Sequence, residues 1–152
     1  MFDPELPLVF NQRYVFGNGP DAHPSDLEEG CNCQFEVHEG LRRDFGISLP
    51  PYYLSREIWH DPDGLFRPVT EVEVVERGDV GLFGQWGIRD SRKFHLARVV
   101  YKTPTGEPVF RDASFSEGGI SDRSLSQLFR YPHYAVLYAI RRHKELDAFG
   151  VC

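Results

Sequence analysis

The hydrophobic period of this chain changes from helical to strand-like across Asp61-Pro62-Asp63-Gly64, and few architectures accept that order. Before the change, Val37, Leu41 and Phe45 recur every four residues, which predicts one apolar stripe on a helix over residues 33–45. Glu36, Glu39, Arg42 and Arg43 fall mostly off that stripe. Gly46 supplies a C-terminal stop, and Pro50-Pro51 blocks continuation. Residues 52–59 predict a second short helix, and residues 61–64 a turn. After the turn, Val72, Val74 and Val75 lead through Gly78-Asp79 to a strand over 80–83, with further strands over 94–101 and 109–114. Residues 103–106 read as the hairpin turn between the last two, and Gly118-Gly119 as a break. Residues 124–129 predict one or two helical turns, and 134–141 a final strand. One early helix followed by four to six mostly antiparallel strands is an α+β domain. Residues 17–30, rich in Gly, Pro and Asp, read as a long loop, and no linker divides residues 1–152, so they read as one domain.

Composition narrows the function classes. The net charge is -6, from 17 basic and 23 acidic residues, which argues against nucleic acid or an anionic membrane as the main partner. No apolar stretch approaches the length of a membrane span. Residues 1–7 lack the basic start and apolar run of a secretory signal, so as it stands the sequence reads as cytoplasmic. A secreted or phage-delivered chain trimmed of its signal would read the same way. Three cysteines, Cys31, Cys33 and Cys152, form no disulfide framework. The pair Cys31-Asn32-Cys33 would need two more ligands for zinc, and the six histidines show no ligand spacing, so neither metal nor cofactor is expected.

Cys33 opens the predicted helix. There the helix dipole and unpaired backbone N–H groups favour a thiolate, the nucleophilic form. The plainer reading is a small buried hydrophobe. His95 falls in the predicted strand over 94–101, on the face of Ala97, Val99 and Tyr101, with Phe94, Leu96, Arg98 and Val100 on the other. It reads either as a core histidine bonded to a backbone carbonyl or as the base partner of a cysteine nucleophile. Across the hairpin, Arg111 and Asp112 fall opposite residues 95–98; Asp112 either orients the imidazole or ends a strand beside Arg111. The aromatic stretch Phe129-Arg130-Tyr131-Pro132-His133-Tyr134 with Tyr138 reads as core and strand-edge packing, Arg141-Arg142-His143-Lys144 as a solvated terminus, and Cys152 as a tail residue.

A series of motifs along the chain gives this pattern a family resemblance. Asn32-Cys33-Gln34-Phe35 is followed by Phe45-Gly46-Ile47-Ser48-Leu49-Pro50, and preceded by Tyr14-Val15-Phe16-Gly17. Gly78-Asp79-Val80-Gly81-Leu82-Phe83, Phe94-His95-Leu96-Ala97-Arg98-Val99 and Val109-Phe110-Arg111-Asp112-Ala113-Ser114 come later. Together they resemble the NlpC-type, papain-like cysteine peptidases of bacterial cell-wall peptidoglycan, over residues 12–142. The resemblance implies a papain-like fold, with Cys33 as nucleophile in preference to Cys31, His95 as base, Asp112 as the residue that orients it, and Tyr14 lining the site beside the oxyanion. It also implies a peptide or muropeptide substrate. Three departures stand out: Asn32 replaces the family's aspartate, Gln34-Phe35 replaces Ser-Gly, and the 17–30 loop is longer. Two other readings use the same residues: a repurposed, inactive domain that binds or assembles, and an acyltransferase with the same triad.

Overall fold

Helix α1 forms over Cys33–Phe45 because both of its ends are capped. The Asn32 side chain accepts a hydrogen bond from Phe35 N–H at the start, and Gly46 closes the end in the left-handed conformation, donating to the Arg42 and Leu41 carbonyls. The structure is a computed structural model describing residues 14–22, 30–114 and 117–149. A short helix α2 follows over Ser55–His60. Six strands come next: β1 Phe66–Pro68, β2 Val80–Gly84, β3 His95–Lys102, β4 Pro108–Ser114, β5 Gly119–Ser124 and β6 Val136–His143. Helix α3, Leu125–Leu128, lies between β5 and β6. The strands form one antiparallel sheet in the order β1-β6-β2-β3-β4-β5. Helices with such a sheet make an α+β architecture, as the change of period predicts.

Alternation along the strands produces two cores. Val37 and Leu41 of α1 and Ile58 of α2 bury against Val80, Leu82 and Leu96. The opposite face carries Phe83, Ala97, Val99, Phe110 and Ile140 under Leu125, Leu128 and Tyr134. Each buried leucine, valine or phenylalanine contributes about 1.5–3 kcal/mol. No helix among the described residues is long and apolar enough to cross a membrane.

Three local expectations need correction. Val72–Val74, which the alternating valines place in the strand-like region leading to residues 80–83, is a 3-10 turn: Val74 is exposed, and alternating valines without a neighbouring strand have no ladder to join. Gly119–Ser124, where the sequence predicts only a break at Gly118-Gly119 and a helical start at Ser124, is an edge strand paired with β4 from Ser114↔Gly119 to Val109↔Ser124. Its polar residues hide the period that burial would impose. The 141–144 run is not solvated throughout. Arg142 is buried, donating to the two Asp79 oxygens at 2.7 and 2.8 Å and to the Val74 carbonyl, and His143 is buried beside it. Cys152 lies outside the described residues.

An ion cluster locks α1 to β3. Arg98 Nη2 donates to Glu36 Oε1 at 3.0 Å and Arg98 Nη1 to Asp44 Oδ2 at 2.8 Å; the Arg98 and Glu36 side chains are each 2% exposed. The guanidinium passes the helix at Gly40, where a Cβ would lie 1.9 Å from Arg98 Nε and 2.2 Å from Cζ. Glycine in a helix interior is unfavourable, and this crossing is the reason for one here. Gly40→Ala is therefore expected to destabilise the protein by about 1–3 kcal/mol, as an overpacked site, where a helix-propensity effect alone would stabilise it. Urea denaturation of the two proteins checks the sign.

Candidate active site

The N-cap that starts α1 also assembles the site. Asn32 Nδ2 donates to the Phe16 carbonyl at 2.9 Å, Asn32 N–H to the Asn18 carbonyl, and Val15 N–H to the Cys31 carbonyl. Tyr14 forms a parallel bridge with Cys31. These bonds brace the lead-in segment against the helix entrance and bring Tyr14 to the cleft that Cys33 faces. A carboxylate at the cap would place a further negative charge beside the thiol; the Asn32 amide caps the helix without one.

Cys33 is the first residue of α1 and His95 the first of β3. Both line one open cleft of about 540 Å³, together with Tyr14, Gln34, Arg92 and His133. They reach it from opposite faces of the sheet. Cys33 packs with Phe94 and Leu96 on the α1 side, whereas alternation puts His95 with Ala97 on the side covered by the Pro132–Tyr134 turn.

Burial decides the protonation states. Cys33 is 9% exposed, and burial pushes its thiol up to about 12. The Leu96 N–H pulls down, the charge of Asp112 pushes up, and the Cys33 and Gln34 N–H groups at the helix start pull down. The helix terminus thus acts in the expected direction, but desolvation outweighs it. At neutral pH Cys33 is a thiol. His95 is lowered to about 4, first by burial, then by its electrostatic interactions with His133 and Arg123, so the imidazole is neutral as well. Tyr14 is raised to about 12 by burial and by the nearby Cys33 and Asp112.

Asp112 is fully buried, and its hydrogen bonds come from Arg123 Nη2 at 3.1 Å and the Tyr134 hydroxyl. Burial raises its pKa, while Arg123 and the Tyr134 hydroxyl pull it down. The His95 ring instead touches Tyr134, with centroids 4.9 Å apart, and His133 at 5.7 Å. Tyr134 therefore stands between the carboxylate and the imidazole. Its ring packs against His95, and its hydroxyl donates to Asp112. The Arg123 guanidinium lies over the Tyr134 ring, 5.0 Å from its centroid.

Sequence reasoning reads Tyr134 as packing only and leaves Arg123 in a segment not expected to be a strand. The signal that points to them is available only once Asp112 is known to be buried, since a buried charge needs donors such as an arginine and a tyrosine. Cys31 is fully buried in a separate small cluster with Phe35 and Ala113, and burial pushes its thiol up to about 12. Among the described residues, no group of three His, Cys, Asp or Glu side chains is placed to hold a metal ion. No protein-family model matches the chain, and none of the curated proteins matches it.

Proposed function

We propose that the chain is a cysteine hydrolase of papain-like architecture that cleaves an amide bond in a peptide, with muropeptides the substrate class the motif resemblance favours. The observation that carries this reading is the shared cleft: a cysteine at a helix N-terminus and a histidine at a strand start line one open space beside convergent backbone N–H groups. Cys33 Sγ attacks the substrate carbonyl carbon as its proton passes to His95. The Cys33 and Gln34 N–H groups stabilise the oxyanion, with Tyr14 at the cleft wall as a further donor. His95 gives the proton to the leaving amine, and water, deprotonated by the same imidazole, then attacks the thioester and releases the acid. Asp112 acts through Tyr134, which holds the His95 ring. Because both partners rest neutral, the proton moves on attack and not before.

This mechanism fixes a pH signature. A thiol raised to about 12 carries less thiolate than an ordinary cysteine at every pH below that value. Alkylation of Cys33 by iodoacetamide, read by mass spectrometry, is expected to be slow near neutral pH and to climb about tenfold per pH unit as the thiolate fraction rises. Hydrolysis should keep its rate as the pH falls through the ordinary histidine range and decline only near His95's value of about 4. Rapid alkylation below about pH 7 that His95→Ala slows would replace the neutral pair by a resting ion pair.

Burial of the thiol favours one second reading, a binding or assembly protein on the same scaffold. Full biological effect in a Cys33→Ala variant would select it.

A further inference from the structure

The cleft does not end at the reacting groups. A second hollow of about 410 Å³, lined by Tyr52, Arg56 and Glu57, adjoins it, and Asp21, Gln34, Leu54 and Arg92 line both. Gln34 lies at this junction as the second residue of α1. Its Nε2 donates to Ser55 Oγ at 3.1 Å, and Ser55 Oγ donates to the Phe94 carbonyl at 2.8 Å. Ser55 is 1% exposed and opens α2. The Gln34 side chain is thus tied across the gap between the starts of α1 and α2, and its anchor is itself fixed to the residue before His95.

We propose that Gln34 is a specificity-determining residue: a tethered partition that separates the chamber holding Cys33 and His95 from the hollow beside Tyr52. The chamber then accepts a compact acyl group, and a long or branched one must displace the amide from Ser55 to extend into the second hollow. A serine at this position could not span to Ser55, so the two spaces would become one extended groove. This inference rests on the reading of Cys33 as the nucleophile.

The test needs no known substrate. Cys33 is alkylated with iodoacetamide and with an iodoacetamide bearing a biphenylmethyl group, in wild type, Gln34→Ser and Gln34→Met, at a pH where the small reagent reacts. Gln34→Ser is expected to raise the bulky-to-small rate ratio about tenfold, the factor that one side-chain hydrogen bond can hold. The iodoacetamide rate is the denominator of the ratio, so any general change in Cys33 reactivity caused by the substitution cancels. Gln34→Met keeps the length but lacks the donor, so its ratio should fall between the two. Circular dichroism and thermal melting confirm that the variants are folded. An unchanged ratio with brisk labelling of Cys33 would overturn the partition and leave the nucleophile standing. A raised ratio together with full hydrolysis by Cys33→Ala would do the reverse. Failure of both reagents to reach Cys33 in every folded variant would overturn the partition, because an open chamber must admit the smaller one.

Discussion

Arg98→Ala is expected to lower stability by about 3–5 kcal/mol, because it leaves the buried Glu36 carboxylate without its counter-charge. The loss should depend on pH. Burial already holds Glu36 at about 7 against the pull of Arg98, and without the guanidinium the carboxyl moves further up. A carboxyl whose folded pKa is raised contributes stability below its unfolded value and loses it as pH rises. The Arg98→Ala deficit should therefore be smaller near pH 5 than near pH 8, measured as free energies from urea denaturation. A deficit independent of pH would mean that lost packing, not the unpaired carboxylate, sets the cost. Replacing the pair together, as Glu36→Leu with Arg98→Met, should recover much of the stability, because an apolar pair of similar volume has no charge to desolvate. The consequence reaches the site. Glu36 is one turn beyond Cys33 and Arg98 three residues beyond His95, so this pair sets the height of α1 over β3.

Under the proposed mechanism, Cys33→Ala is expected to reduce amide hydrolysis by about 10⁴-fold or more in kcat, since no neighbouring side chain can form the thioester in its place. The assay is amine release from muropeptide fragments of defined linkage, followed by mass spectrometry. Losing one mostly buried sulfur should change stability by only about 1 kcal/mol, so the variant remains folded and the loss reports chemistry. His95→Ala removes the proton carrier and should cost about 10²–10⁴-fold. A Cys33→Ala protein that still hydrolyses the same bonds at the wild-type rate would remove the covalent mechanism altogether.

Much of the scaffold is legible in the sequence. The four-residue recurrence of Val37, Leu41 and Phe45 places α1 at its observed bounds, with Gly46 at the stop. Alternation from Phe94 onward assigns Leu96 and Ala97 to opposite cores, as found. The signals fail where burial is one-sided or absent. β1 has three residues, too few for a period, and β5 is an edge strand written in Ser, Asp and Arg. At the site, Cys33, His95 and Tyr14 share the cleft, but Asp112 bonds Tyr134 and Arg123. Residue spacing along two strands carries no information about a tyrosine that enters from a turn 22 residues after Asp112.

By itself the sequence determined which residue starts the helix, which faces the strands turn inward and which side chains can carry chemistry, because period and capping are local properties of the backbone. Tertiary structure alone decided how those side chains are charged and what touches them. Desolvation scales with surrounding atoms and not with sequence neighbours, so only the packed sheet could turn Cys33 into a buried thiol and place Tyr134 between His95 and Asp112.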